Sequence, residues 1–328
     1  MFQDDEYCLL DFGGGRRLER FGALVLDRPC PSANSFRPKH SRLWLSADTR
    51  FEEVKRKASV EKRGGFEGRG FWRPLTHLGK EYFALEGDDS RDNSLPMTNS
   101  RPWQIRFDNK FVLELKGSPF GHIGVFPEQA ENWDRIFTLC SEGMKRLCRP
   151  PRVLNLFGYT GASALAAAAA GANVAHVDAA RNIVAQAKRN YHLSFEPRVG
   201  DAGSVRWIVD DAMKFVKREI KRGTRYDGVI LDPPTYGHGA RGEVWRLSRD
   251  LAPLMDNIAR LLDGEFGFVI LTAHTKGFEA PVLEGILWNS LANSSLNKSN
   301  LNFSSKGTTI RSSLGEALPL GDLAIARF

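Results

Sequence analysis

The segment Arg152-Val153-Leu154-Asn155-Leu156-Phe157-Gly158-Tyr159-Thr160-Gly161-Ala162-Ser163 constrains this chain more than any other. An apolar run of strand length meets a turn bracketed by two glycines, and small residues then begin a helix. That order predicts a strand, a tight turn and a helix packed back on its strand, the arrangement that cradles nucleotides in α/β proteins. Gly158 and Gly161 are expected to supply positive φ and close backbone approach, and the alanines after them to let the helix sit tightly on a sheet.

The next run, Ala172-Asn173-Val174-Ala175-His176-Val177-Asp178, reads as a second strand ending in an acid. A carboxylate there accepts hydrogen bonds from ribose hydroxyls in α/β nucleotide-binding units. From here the pattern alternates: strands at 152–157, 173–178, 206–209, 226–231 and 267–272, with helices at 162–171, 180–193, 211–222 and 244–263. Such alternation predicts an α/β fold, a doubly wound Rossmann-like sheet. The tail is less regular: a polar loop at 293–300 precedes a strand-like ending, Leu323 to Phe328.

Residues 1–120 read differently, as a smaller β-rich N-terminal domain, with 121–328 forming the α/β domain. Leu9–Phe12 and Ala23–Leu26 flank the turn Gly13-Gly14-Gly15, and Gln104–Phe107 and Phe111–Glu114 flank Asp108-Asn109, so two hairpins are expected. Gly87 to Arg101 reads as a loop, and Pro127 marks a helix start ahead of Trp133, Ile136, Phe137 and Leu139.

The strand Gly228-Val229-Ile230-Leu231 runs into Asp232-Pro233-Pro234-Thr235-Tyr236-Gly237. Two prolines cannot donate to a ladder and hold the chain extended, so Asp232 and its neighbouring carbonyls face a cleft as rigid acceptors. A strand that simply stops is the competing reading. The cradle alone does not choose between NAD and S-adenosylmethionine, but its glycines do not follow G-x-G-x-x-G, and Asp-Pro-Pro has no evident part in hydride transfer.

With Asn155 to Gly161, Val177-Asp178, Asp210-Asp211-Ala212 and Asp232 to Tyr236 in this order and spacing, the chain resembles the class I S-adenosylmethionine-dependent methyltransferases that modify bases of bacterial large-subunit ribosomal RNA. Gly121 to Gln129 is similar to the family's lead-in segment over the cofactor, without its usual Asp-x-Arg ending. The resemblance covers roughly 120 to 280. It implies S-adenosylmethionine as cofactor, Asp178 on its ribose, Asp211 at the adenine edge, and Phe157, Gly158, Tyr159, Thr160 and Gly161 around the methionine portion, with Phe126 and Asp232 also at the cofactor. It further implies Asp232 and the Pro233 carbonyl orienting the acceptor base and Tyr236 stacking on it. Asp211 as a helix N-cap and Tyr236 as a packed aromatic are the plainer readings of those two.

The acceptor atom turns on an absence. Attack through pyrimidine C5 needs a cysteine thiolate, which cytosine-C5 members carry after the fifth strand. Here that stretch is Leu271-Thr272-Ala273-His274-Thr275-Lys276-Gly277-Phe278, and the last cysteine, Cys148, precedes the cradle. A base nitrogen is therefore preferred, and Asp-Pro-Pro-Thr with Lys-Gly-Phe resembles the guanine-N7 branch. His274 and Lys276 read mainly as exposed loop polarity.

Of 328 residues 42% are hydrophobic, enough for a large core and a smaller one. The four cysteines, Cys8, Cys30, Cys140 and Cys148, form no C-x-x-C pair or metal cluster, so no metal and a reduced, cytoplasmic setting are expected. An acidic start, Met1 to Glu6, and no long apolar run argue against a signal peptide or a membrane span. Net charge is +7 and pI about 9.3, which favours a polyanion partner. Lys55, Arg56, Lys57, Lys62, Arg63, Arg69 and Arg73 lie among Phe66, Phe71 and Trp72, a mixture suited to phosphates and stacked bases or to an ordinary solvated surface. The basic run Lys214 to Arg225 reads as the outer face of a helix. RNA is the expected partner. The alternatives are a methyltransferase for a protein or small molecule, and a non-catalytic RNA-binding module.

Overall fold

The computed structural model describes residues 2–54, 69–83, 102–196, 202–239, 242–262, 264 and 266–328. Strands β1 (Tyr7–Gly13), β2 (Arg16–Phe21), β3 (Leu24–Pro29), β4 (Thr49–Glu53) and β5 (Gly70–Pro74) form one sheet in that order, followed by a short helix α1 (His77–Tyr82). The triple-glycine turn joins β1 to β2, and Ala23–Leu26 belongs to a third strand. Alternating polar residues in Arg16–Phe21 hid β2: Arg17 and Glu19 point inward as a buried pair, so the polar face is not the solvent face. The second expected hairpin forms as β6 (Gln104–Phe107) and β7 (Phe111–Glu114). Gly87 to Arg101, and Lys55 to Glu67 of the basic stretch, lie outside the described residues.

The rest is α2 (Ala130–Leu147), β8 (Arg152–Leu156), α3 (Ala162–Ala169), β9 (Asn173–Asp178), α4 (Arg181–Phe195), β10 (Val205–Val209), α5 (Ala212–Lys221), β11 (Gly228–Leu231), β12 (Tyr236–His238), β13 (Val244–Arg246), α6 (Leu247–Ala259), β14 (Phe268–Ala273), α7 (Ala280–Ala292), β15 (Asn302–Arg311) and β16 (Ala317–Arg327). They build a seven-stranded sheet of order β10-β9-β8-β11-β14-β16-β15, parallel through β14 and antiparallel in the last two strands. The expected α/β, doubly wound sheet with a smaller β-rich N-terminal part is present. The helix expected at 244–263 is shorter, because its first three residues pair with β12 as a hairpin. The tail holds more order than expected: α7 packs on β16, and β15 pairs along the whole of β16.

Central strands are apolar on both faces, as parallel strands covered by helices must be. Val153 and Val174 face a core shared with α2, α3 and the N-terminal sheet, while Leu154 and Ala175 face the core under α5, α6 and α7. The first core runs without a break from Leu9 and Phe21 to Trp133 and Ile270. Hairpin β6–β7 is fixed to α4, where Ser194 Oγ and Asn190 Oδ1 accept from the amides of Val112 and Glu114 at 2.9 and 2.8 Å. The chain leaves β8 for β9 and β10 on one side and returns to β11 on the other. That reversal places a crevice at the carboxyl ends of β8 and β11.

Candidate active site

A cavity of about 990 Å³ opens over these strand ends. Its floor comes from the segments after β8, β9, β10, β11 and β14, its roof from the lead-in residues Gly121 to Glu128, and one wall from Arg17, Arg28 and Cys30 of the N-terminal sheet.

The turn after β8 is built otherwise than expected. Gly158 has no positive φ; Phe157 (φ 55°) and Tyr159 (φ 49°) adopt the left-handed region instead. Two non-glycine residues there carry backbone strain, which is characteristic of sites held open for a ligand. Gly158 is required from below: a Cβ would stand 2.4 Å from Cε1 of His176, a fully buried imidazole that burial pushes down to about 4. Gly161 does take positive φ (96°), and its missing side chain leaves room for Ala187 of α4. Thr160 is buried and donates to the Gly124 carbonyl at 2.6 Å, tying the turn to the lead-in segment. Of this turn, Phe157 and Tyr159 line the cavity, whereas Gly158, Thr160 and Gly161 shape it from behind.

Aromatic pairs flank the mouth. Phe126 lies 5.2 Å from Tyr159 and Phe157 4.8 Å from Trp245, ring centre to ring centre. Burial pushes the Tyr159 hydroxyl up to about 12.

Asp178 closes β9 inside the cavity. Its Oδ2 accepts from the Tyr159 amide at 3.0 Å and its Oδ1 from the Ala180 amide at 2.9 Å. Burial outweighs these amides and holds the carboxyl above its ordinary range. Asp211 caps α5, accepting from the Lys214 amide at 2.9 Å, and also lines the cavity. The basic residues that follow sit on the outer face of α5, where Arg218 pairs with Asp210 and Lys214 with Glu243.

Asp232 is held from three sides. Thr272 Oγ1 donates to its Oδ1 at 2.6 Å, Gln129 Nε2 donates to Oδ2 at 3.2 Å, and His274 Nε2 stands 3.6 Å from Oδ1. Burial would raise this carboxyl, but the His274 charge and hydrogen bond, with Thr272, hold it below its usual range. For His274 burial acts downward, and Asp232 with the Leu320 carbonyl overcomes it to bring the imidazole up to about 9. His274 is exposed, as expected of loop polarity, and also lines the cavity beside Asp232. Its signal in the sequence was its place one residue past a fully buried strand. Gln129, buried on the lead-in turn, was equally hard to place without the fold.

Pro233 and Pro234 line the cavity, and the Pro234 carbonyl accepts from Trp245 Nε1 at 2.7 Å, which pins hairpin β12–β13 to the site. Tyr236 is not brought into the lining: it sits half exposed on β12, one residue beyond Thr235. Two further expectations are corrected. Cys30 lines the cavity from the N-terminal sheet, so a cysteine does face it, although burial first of all raises its thiol. Trp72, expected among base-stacking aromatics, is buried and donates to the Ser118 carbonyl at 2.9 Å. Among the described residues no group of three or more His, Cys, Asp or Glu is placed to hold a metal, and no helix is long and apolar enough to cross a membrane.

The cavity sits at the switch point, with acids at two successive strand ends and a rigid Asp-Pro-Pro at a third, and residues 139–271 match the family model of S-adenosylmethionine-dependent methyltransferases. The crystal structure of an S-adenosylmethionine-dependent methyltransferase from Agrobacterium tumefaciens is similar over 98% of this chain and 90% of that one, with 29% identity and a TM-score of 0.75. One from Streptococcus mutans shares the fold at 15% identity and a TM-score of 0.63, over 99% of this chain and 75% of that one. In sequence, the ribosomal RNA large subunit methyltransferase K/L of Hahella chejuensis is 34% identical over 130 residues, 39% of this chain. The match spans only 17% of that longer protein. Over residues 139–271 the chain is thus similar to S-adenosylmethionine-dependent methyltransferases, and the Asp178 and Asp211 carboxylates in the cavity fit the hydroxyl and amino donors of an adenosine.

Proposed function

We propose that this enzyme moves a methyl group from S-adenosylmethionine to a base nitrogen of RNA, with ribosomal RNA as the substrate and guanine N7 as the preferred atom. The carrying observation is Asp232, fixed by Gln129, Thr272 and His274 in the same cavity as Asp178. In this reading Asp178 receives the ribose and Asp211 the adenine edge. Phe157 and Tyr159 hold the methionine portion with Phe126 above, while Gly158, Thr160 and Gly161 set the turn's shape. The cofactor supplies an electrophilic methyl carbon, so the protein's task is to position the nucleophile and exclude water.

Asp232 and the Pro233 carbonyl orient the base. A carboxylate held below its ordinary range is a weak base, which suits an acceptor atom with no proton to lose. The buried Cys30 thiol, raised above its ordinary value, is unsuited to thiolate attack at a pyrimidine. Tyr236, at the rim, would meet a neighbouring nucleotide and not the target base.

An RNA acceptor is supported by the relatives' ribosomal RNA names, by the net charge of +7, and by Arg69, whose guanidinium lies 5.4 Å from the centre of the cavity-lining Phe120 ring. The base would have to leave its stack to enter. A small-molecule acceptor is the second reading, favoured by the wall that the N-terminal sheet places along the cavity. Labelled cofactor with undermethylated ribosomal RNA, followed by nucleoside mass analysis, decides: label in 7-methylguanosine is expected. RNA that stays unlabelled while small molecules take up label would sink the reading, as would RNA that binds without turnover.

A further inference from the structure

The wall of the cavity holds two arginines that the methyl-transfer reading does not use. Arg17 and Arg28 are 7% and 2% exposed, on neighbouring strands β2 and β3. Glu19, wholly buried between them, accepts from Arg28 Nε at 2.8 Å and from the Tyr7 hydroxyl at 3.0 Å. Arg28 also donates to the Gly121 carbonyl at 3.3 Å. Yet Arg17 Nε and one terminal nitrogen of each guanidinium are buried without a hydrogen-bond partner among the described residues. Arg17 Nε lies 3.1 Å from Glu19 Oε2, its Nη1 3.7 Å from Glu128 Oε2, and Arg28 Nη2 2.7 Å from Glu19 Oε2, all in contact by charge but not aligned to bond. Glu128 Oε2 is likewise left without a hydrogen bond among the described residues.

Buried N–H groups of a guanidinium are costly to leave unmade, and the fork is shaped for planar oxyanions. Both arginines line the same cavity as Asp178 and Asp232. His122, beside them, is driven down to about 4 by burial and by their charges, so it stays neutral and offers no competing cation. We propose that Arg17 and Arg28 form an oxyanion subsite in this wall, receiving a carboxylate or phosphate group of a bound ligand. Two sources carry that chemistry: the carboxylate of the cofactor's methionine portion, or a phosphate of a nucleotide acceptor. Only the second rests on the RNA reading.

Calorimetry on the full chain separates them, using S-adenosylhomocysteine against 5′-methylthioadenosine, which lacks the amino acid, and guanosine 5′-monophosphate against guanosine. In Arg17→Gln and Arg28→Gln, a carboxylate source predicts at least a tenfold loss for S-adenosylhomocysteine with methylthioadenosine unchanged. A phosphate source predicts unchanged S-adenosylhomocysteine and a tenfold loss confined to the monophosphate. Folded Gln variants that bind all four ligands as the wild type does would overturn the subsite. Should those variants fail to fold, the wild type answers directly: an Arg17 or Arg28 Nε–H resonance that shifts with an oxyanion ligand supports the subsite, and one unmoved by either ligand overturns it. A wild type inactive on RNA would remove the RNA acceptor and leave the carboxylate arm standing.

Discussion

His274 Nε2 faces Asp232 Oδ1 at 3.6 Å while its Nδ1 donates to the Leu320 carbonyl at 2.5 Å, so the ring is gripped between the end of β11 and Leu320 of β16. The grip ties the parallel half of the sheet to its antiparallel edge, with Thr235 and Thr275 hydroxyls 2.6 Å apart alongside. A dependence of stability on pH follows. The imidazole is raised from 6.5 to about 9, so its stabilising contribution is full below 6.5 and is lost as pH rises through about 9. Each of the two side chains keeps over a third of its surface open, at 37% and 34%, so screening keeps the effect small. His274→Gln should flatten the decline of Tm between these pH values. Identical slopes in the two proteins would remove His274 from the account.

Gly158→Ala should destabilise the protein by about 1–3 kcal/mol, the usual cost of overpacking a closed site. The added methyl would meet the His176 ring at 2.4 Å and the Asn155 amide at 2.9 Å. Denaturant unfolding in the wild type and in His176→Ala tests the cause. The glycine substitution should cost markedly less where the imidazole is gone, and an equal cost in both backgrounds would move the constraint elsewhere.

The strand and helix periodicities of 152–273 were legible because the buried parallel strands are mostly apolar and most of their helices are amphipathic. Asp178, Asp211 and Asp232 were legible because a strand end marks a position whatever the neighbours. Gly158 could be found but not explained, since its partner His176 comes from the next strand. Arg17, Arg28 and Cys30 were out of reach: they meet the cavity across more than ninety residues of chain, as the Arg28 to Gly121 contact does. In β2, a buried ion pair imitates an exposed strand face, and no periodicity separates the two. The paired edge strand β15, polar at most positions, looks like a loop until β16 supplies its ladder.

Cys30 is the one cysteine in the cavity wall among the described residues, and its raised thiol should make it dispensable for chemistry. Cys30→Ala is expected to keep turnover within a few-fold, with some loss of stability because the side chain is buried. No covalent complex should form on RNA containing 5-fluorocytosine. A trapped adduct that disappears in Cys30→Ala would establish pyrimidine attack and end the nitrogen assignment.

Asp178→Ala removes the carboxylate that both lines the cavity and holds the Tyr159 and Ala180 amides. Loss of charged hydrogen bonds to a ribose costs about 1.5–3 kcal/mol, or roughly tenfold to a hundredfold in affinity. Calorimetry with S-adenosylhomocysteine measures it, and undiminished binding by a folded variant would contradict the ribose role.

Asp232→Ala should separate turnover from cofactor binding. The carboxylate's partners are Gln129, Thr272 and His274, on the acceptor side of the proposed reading, so S-adenosylhomocysteine affinity should change no more than a few-fold. Turnover should fall by about a hundredfold or more, as expected for a group that fixes the acceptor in the transition state. A second readout distinguishes this from general damage. Burial alone lowers the His274 imidazole, and Asp232 is the first cause that raises it. Without the carboxylate its titration, followed by NMR, should drop from about 9 toward or below 6.5. A variant with normal turnover would refute the acceptor role, and an unchanged His274 titration would break the pair on which that role rests.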